Sequence, residues 1–216
     1  MATVGPFQEN SYLLMAGPGA SEALLVDPGD EGERLAGMLA DSGAQLAAIL
    51  ITHCHVDHVG AVAHVAELTG APVYAPAVEQ DWLRDPNTAT SLVGLPPMRG
   101  WEAEHLLEGG ERLDLAGFSI DVLSTPGHSP GHLTYALDPG SPDLGTVLAS
   151  GDVLFEGSIG RTDLPGADHG RLMQSIGELV GRYPDETPVL PGHMGVTTLG
   201  REKAGNPFLA DLPAAK

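Results

Sequence analysis

The sequence predicts an α/β fold in which two mixed β-sheets lie face to face, with helices on both outer flanks. Three observations carry this expectation. The 216-residue chain reads as two similar halves, each with strands first and helices after them. Its 29 Gly and 18 Pro punctuate it into short elements joined by tight turns. Apolar residues make up 42% of it, enough for a sizeable core. The length suits one domain spanning 1–216, and no linker interrupts it.

The elements follow in order. Ser11 to Met15 and Ala23 to Val26 flank Gly17-Pro18-Gly19, which predicts a β-hairpin. Asp30 and Glu33 have capping-box spacing ahead of the apolar stripe Leu35, Met38, Leu39, so a helix is expected there, ending at Gly43. Leu46 to Ile51 is a continuous apolar run of strand length, which predicts a buried central strand. Residues 60–69 read as a helix closed by Gly70, and Pro72 to Tyr74 as a strand. Residues 85–110 carry no clear period and are expected to form a loop over the site. In the second half, Arg112–Leu115 and Phe118–Leu123 flank Ala116-Gly117 as a hairpin. Leu133–Leu137 and Thr146–Ala149 are further strands. Asp168 is placed to cap a helix carrying Leu172, Ile176, Leu179 and Val180 that stops near Pro184. Thr187–Leu190 reads as the last strand, with a short helix near Thr198.

Charge excludes several functions. Ten Lys and Arg against 29 Asp and Glu leave a formal net charge of −19, which repels phosphate backbones and anionic lipid head groups. Nucleic-acid and membrane partners are therefore not expected. No stretch approaches the ~18 consecutive apolar residues of a membrane span, and the N-terminus lacks the basic start of a signal peptide. The single cysteine, Cys54, allows no intrachain disulfide and fits a reducing cytoplasm.

The chemistry sits at strand ends. The Leu46–Ile51 strand runs into Thr52-His53-Cys54-His55-Val56-Asp57-His58. In extended chain, residues i and i+2 point the same way, so His53 and His55 can chelate one ion while Cys54 points away as a buried, inert thiol. The turn into the following helix re-aims Asp57 and His58 toward a neighbouring position. Imidazole and carboxylate suit Zn²⁺, Fe²⁺ or Mn²⁺. Three further candidates follow apolar strands, each preceded by Gly: His128, Asp152 and His193. Gly lets the backbone turn sharply and approach closely. His132 is expected to support these groups through hydrogen bonds rather than to bind an ion. His64, His105 and His169 are expected to be structural or solvated, as are the charges of Arg201 and Lys203. Arg161, one of few cations, is a candidate clamp for a substrate carboxylate, weighed against a structural ion pair.

His53-x-His55-x-Asp57-His58 followed in order by His128, Asp152 and His193 resembles the metallo-β-lactamase fold superfamily, over nearly the whole chain. Residues 158–163, Ser-Ile-Gly-Arg-Thr-Asp, and Thr197–Glu202 ahead of Asn206–Leu209 resemble the short glyoxalase II-like hydrolases, which lack the C-terminal helical substrate domain of the classical hydroxyacylglutathione hydrolases. The resemblance implies a four-layer αββα sandwich and a dinuclear site. His53, His55 and His128 would hold one ion, Asp57, His58 and His193 the other, and Asp152 would bridge them. Met194 departs from the pattern, since relatives more often carry Gly after the last His.

What the resemblance implies for activity is a metal-dependent thioester hydrolase acting on S-lactoylglutathione or a related small acyl-thiol. Two divalent ions, Zn first with Fe or Mn as alternatives, would supply a bridging hydroxide, with Asp57 and Asp152 as the catalytic carboxylates. The alternative is a persulfide dioxygenase of the same fold, which shares the Gly-Arg-Thr-Asp segment and uses one iron. Oligomeric state is not legible in the sequence.

Overall fold

The computed structural model describes residues 1–141, 143–210 and 212; the rest of the expected 1–216 unit lies outside the described residues. In chain order the first half contains β1 (Ala2–Val4), β2 (Glu9–Leu14), β3 (Glu22–Val26), α1 (Gly32–Ser42), β4 (Gln45–Leu50), α2 (Val56–Val59), α3 (Val62–Thr69), β5 (Val73–Pro76), α4 (Gln80–Arg84), α5 (Asn87–Val93) and β6 (His105–Leu107). The second half contains β7 (Arg112–Leu115), β8 (Phe118–Ser124), β9 (Leu133–Asp138), β10 (Val147–Gly151), β11 (Leu154–Phe155), β12 (Ser158–Ile159), α6 (His169–Arg182), β13 (Pro188–Pro191), β14 (Thr197–Thr198) and α7 (Leu199–Gly205).

Strands β1 to β6 form one six-stranded sheet in sequential order. A second six-stranded sheet runs β14-β13-β10-β9-β8-β7, and β11 and β12 form a small hairpin. Both large sheets are mixed: β3, β4, β5 and β6 are parallel neighbours in the first, and β10 and β13 in the second.

Side-chain alternation explains why the layers stack. Leu24 and Val26 of β3 and Ala48 and Leu50 of β4 face inward, where they meet Ile120, Val122, Leu133, Tyr135 and Leu137 of the second sheet. The intervening Leu25 and Ile49 point the other way and pack under Leu35 of α1 and Val62 and Val65 of α3. On the far side, Ala136, Leu148 and Val189 turn outward against Leu172, Ile176 and Leu179 of α6 and Leu199 of α7. Apolar residues on both faces of a strand demand cover on both faces, and helices supply it. The four-layer αββα architecture expected from the sequence is therefore present.

Three local readings need correction. Asp30 does not cap α1: the helix begins after Glu31, which is left-handed at φ 52°, and no side chain caps it. Asp30 Oδ1 instead accepts the Glu31 N–H at 2.6 Å. The helix expected over 60–69 is α3, closed by Gly70 as expected, but it starts only at Val62, because the Ala61 N–H donates to the Pro28 carbonyl at 2.9 Å rather than within a helix. Residues 85–110 are not simply a loop. They hold α5 and the edge strand β6, which pairs parallel to β5 through registers such as Ala75 with Leu106. By contrast, Asp168 caps α6 by accepting the Arg171 N–H, and Thr198 caps α7 by accepting that of Arg201.

Candidate metal centre

The parallel pairings fix where the chemistry collects. β3 and β4 end at the same side of the first sheet, β10 and β13 at the same side of the second, and β8 runs with β10 because β9 is antiparallel to both. Loops leaving these C-terminal ends converge, the usual location of a site in an α/β sheet. Asp27, His53, His128, Asp152 and His193 all leave from such ends. Main-chain bonds between the sheets lock the convergence: Leu133 N donates to Thr52 O at 2.8 Å and Asn10 N to Gly192 O at 2.7 Å. The Tyr135 hydroxyl adds a bond to Ile51 O at 2.8 Å.

All seven expected ligands meet there. His53 Nε2 lies 3.0 Å from His55 Nδ1, which lies 2.9 Å from His128 Nε2. On the other side, His193 Nε2 stands 3.4 Å from Asp57 Oδ2, and His58 completes a second group. Asp152 sits between the two groups. Its Oδ1 is 3.4 Å from His58 Nε2, and its Oδ2 is 3.4 Å from His128 Nε2 and 3.5 Å from His193 Nε2. The approach needs bare backbone at Gly192, where a Cβ would collide with the Asp152 carboxylate and the His58 ring.

The outer bonds decide what the inner atoms can do. His128 Nδ1 donates to the Arg161 carbonyl at 2.8 Å, so its Nε2 presents a lone pair inward. The Thr52 hydroxyl donates to Asp27 Oδ2 at 2.6 Å and can therefore only accept from His53 Nδ1, at 3.1 Å. Again Nε2 is left as an acceptor. His58 Nδ1 donates to the same Asp27 oxygen at 3.0 Å, and its Nε2 is buried with no hydrogen-bond partner, as is Asp152 Oδ1 opposite. Acceptors gathered face to face, with their protons committed elsewhere, fit cations. Among the described residues, three groups each gather ligand atoms within 4.8 Å of one another. In one, Asp27, His53 and His58, Asp27 already accepts from Thr52 and His58. The other two can hold cations: His53, His55 and His128, and Asp57, His58 and His193.

Electrostatics agrees. Burial pushes His53 well below the usual imidazole value of 6.5, helped by the neighbouring imidazoles, and pushes His55 down to about 4. His58 goes the other way. Burial opposes its charge, but the carboxylates of Asp152 and Asp57 outweigh it and raise the pKa well above 6.5. Asp152 is held below the carboxylate range: burial works against this, and His58, His128 and His193 overcome it. The site is a dense alternation of imidazoles and carboxylates in a low-dielectric setting.

The sequence of residues 4–193 matches the family model described as the metallo-beta-lactamase superfamily. The chain belongs to that superfamily. A probable metallo-hydrolase of Bacillus subtilis, YqgX, is 40% identical over 95% of this chain and 94% of its own. The hydroxyacylglutathione hydrolase GloC of Haemophilus influenzae is 34% identical over 95% of both. Among solved structures, the BLEG-1 B3 metallo-beta-lactamase superposes with a TM-score of 0.88 at 41% identity, covering 96% of this chain and 97% of that one. TTHA1623 in a di-iron-bound form gives 0.84 at 43%, covering 96% and 98%. Divalent metal ions are thus the expected cofactors of this metallo-β-lactamase superfamily member, and its substrates small molecules. No helix among the described residues is long and apolar enough to cross a membrane.

Other expected residues fall where their surroundings send them. Cys54 is buried against the core beneath the first sheet. His132 binds Thr125 Oγ1 at 3.0 Å and accepts the Asp152 N–H at 3.0 Å, so it supports the site through hydrogen bonds as expected. The Arg161 side chain is not free. Its guanidinium makes two bonds to Asp163, at 2.6 and 2.7 Å, with both side chains more than 60% exposed. Its main-chain carbonyl, the acceptor of His128 Nδ1, ties the residue to the site.

Several residues around the candidate site escaped the sequence. Asp27, itself at a positive φ of 46°, accepts from Thr52 and His58 and so aims two imidazoles at once. Trp82 of α4 lies parallel to His55 and walls that side. Phe155 packs edge-on against His193 at 5.9 Å. Leu95 and Met98 line a narrow cleft with Phe7 and Asp57, beside a cavity of about 250 Å³ lined also by His64 and Arg99. The apolar spacing around these positions gave no hint of a site.

Proposed function

We propose that this metallo-β-lactamase superfamily member is a dinuclear thioester hydrolase of the glyoxalase II type, cleaving S-lactoylglutathione or a related acyl-thiol. The observation that carries the proposal is the position of Asp152, one carboxylate between two complete ligand groups, with an oxygen toward each. In this reading His53, His55 and His128 hold one ion, Asp57, His58 and His193 the other, and Asp152 reaches both. Zinc is the first choice of metal, with iron or manganese as alternatives. Such ions supply Lewis acidity, lowering the pKa of water toward about 7 and polarising a carbonyl.

The chain's own groups do the rest. The Asp57 side chain is a fifth exposed, against full burial of the imidazoles of His53 and His58, so it faces the open side where substrate arrives. There it accepts a hydrogen bond from the attacking water and orients it. Water adds to the acyl carbon, the C–S bond breaks, and the products are a carboxylic acid and a thiol. A thiolate leaves without a strong general acid, and the site presents none dedicated to the leaving group. Arg161 would take the anionic end of the substrate by exchanging the Asp163 carboxylate for the substrate's own.

The similarity to GloC supports the thioester reading. The similarity to the BLEG-1 B3 metallo-beta-lactamase makes a β-lactam the acyl donor to test beside it. The deciding experiment is metal analysis and kinetics on one purified sample. Two ions per chain with turnover of S-lactoylglutathione are expected. One iron with O₂ uptake on a persulfide would establish the dioxygenase instead, and faster turnover of a β-lactam than of any thioester would replace the substrate class.

A further inference from the structure

Glu79 ends the short 3₁₀ turn Ala77–Glu79 that follows β5, and it is completely buried. A carboxylate removed from water must be matched by donors. Two main-chain N–H groups match it: Cys54 donates to Oε2 at 2.6 Å, and Gly131 donates to Oε1 at 2.7 Å. Cys54 lies between His53 and His55. Gly131 follows His128 in the same short loop and directly precedes His132, which accepts the Asp152 N–H. One side chain therefore joins the two segments that carry all three nitrogens of the first ligand group, although His55 and His128 are 73 residues apart in sequence.

The fit has little slack. A Cβ at Gly131 would stand 3.0 Å from Glu79 Cγ and 3.1 Å from Oε1. The next residues of the same segment continue the contact, since Trp82 stacks on His55. Glutamine could not substitute quietly. Two N–H donors face the two oxygens, and an amide offers one oxygen and one NH₂, so a donor would oppose a donor.

We infer that Glu79 is a positioning residue for the metal ion of the His53–His55–His128 group. Its carboxylate sets the separation of the His55 and His128 loops. This rests on the reading that the group holds a metal, and it adds a residue to which that reading assigns no part. Glu202 is the matched control. It too is a buried carboxylate, accepting from Gly157 N at 2.8 Å, Thr197 Oγ1 at 2.5 Å and Asn206 Nδ2 at 2.9 Å, and it makes no hydrogen bond to the seven candidate ligands.

The test is chelator competition for Zn²⁺ on the purified chain, comparing wild type, Glu79→Gln and Glu202→Gln, with thermal unfolding of each. Glu79→Gln is expected to weaken one zinc ion about ten- to a hundredfold. Glu202→Gln should stay within about threefold of wild type even where it loses as much Tm. Wild-type affinity in Glu79→Gln, or an equal loss in Glu202→Gln, overturns the inference. Should Glu79→Gln fail to fold, amide hydrogen exchange on the wild type decides. Zinc should raise protection of the Cys54 and Gly131 amides about tenfold more than that of the Gly157 amide. Equal changes reject the role. Neither readout involves turnover, so a failure of thioester hydrolysis leaves this test standing.

Discussion

The indole of Trp82 lies parallel to the imidazole of His55, with ring centroids 5.9 Å apart and 8° between the planes. Trp82 is 36% exposed, so one face holds a metal-binding candidate in place while part of the ring meets solvent at the mouth of the site. Removing it should cost local order more than global stability. Trp82→Ala is expected to weaken zinc at the His55 group about three- to tenfold, in line with about 0.5–1.5 kcal/mol for a stacked aromatic pair. Chelator competition measures this. An unchanged affinity would reduce the stacking to surface packing.

Asp152→Ala should release both ions together, because its carboxylate faces His58 and His193 of one group and His128 of the other. His193→Ala should weaken mainly the ion shared with Asp57 and His58. Elemental analysis after dialysis gives the counts. Two tightly held ions in Asp152→Ala would exclude the bridging arrangement.

Met194 follows His193 with φ at 67°, a left-handed conformation that L side chains adopt at a cost of about 1–2 kcal/mol. Its carbonyl is nevertheless pinned by Asn10 Nδ2 at 2.9 Å, and its side chain is 54% exposed. Met194→Gly should therefore stabilise the chain by about 1 kcal/mol, read as a shift in the urea midpoint at unchanged slope. A loss of stability would mean that the Met side chain contributes packing that outweighs the strain.

Arg161→Ala tests the substrate's anionic end. The exposed Arg161–Asp163 pair adds little to folding, so Tm should hardly move. The kcat/KM for an anionic thioester should fall roughly tenfold or more, with little change for a neutral one. Equal effects on both substrates would leave Arg161 with its ion pair and the carbonyl that orients His128.

The metal-free chain should be most stable near pH 6.5. His53, His55 and His132 have folded pKa values below 6.5, so these three groups bind more protons in the unfolded chain than in the folded one as pH falls below 6.5. Their contribution is present above 6.5 and lost as pH falls. His58 and His193 have raised pKa values, so theirs is present below 6.5 and lost as pH rises through the folded values. Urea unfolding of the chelator-treated protein from pH 5 to 9 should trace this maximum. A monotonic profile would contradict the assignment of charge within the site.

What was legible in the sequence was local. His53, His55, Asp57 and His58 announce themselves by spacing, and His128 and Asp152 by a Gly just before them at a strand end. The continuous apolar run Leu46–Ile51 predicted a buried central strand, and Ala48 and Leu50 on one face with Ile49 and Ile51 on the other show why. Asp27 and Glu79 were invisible because each is an isolated carboxylate whose main-chain partner lies 25 residues away, at Thr52 and Cys54 respectively. β6 was missed because a three-residue edge strand pairing parallel to β5 carries too little alternation to read. Asp30 had cap spacing, but the left-handed Glu31 moved the helix start past it.

The burial of Cys54 has a bearing on any thiol that the proposed thioester hydrolysis would release. A small thiol produced beside an accessible cysteine can oxidise onto it, and the resulting mixed disulfide would plug the mouth of the site. Here the sole sulfhydryl is packed beneath the first sheet, and burial raises its pKa well above 9.0, so it offers almost no nucleophilic thiolate. The folded chain would in effect be redox-silent toward such a product.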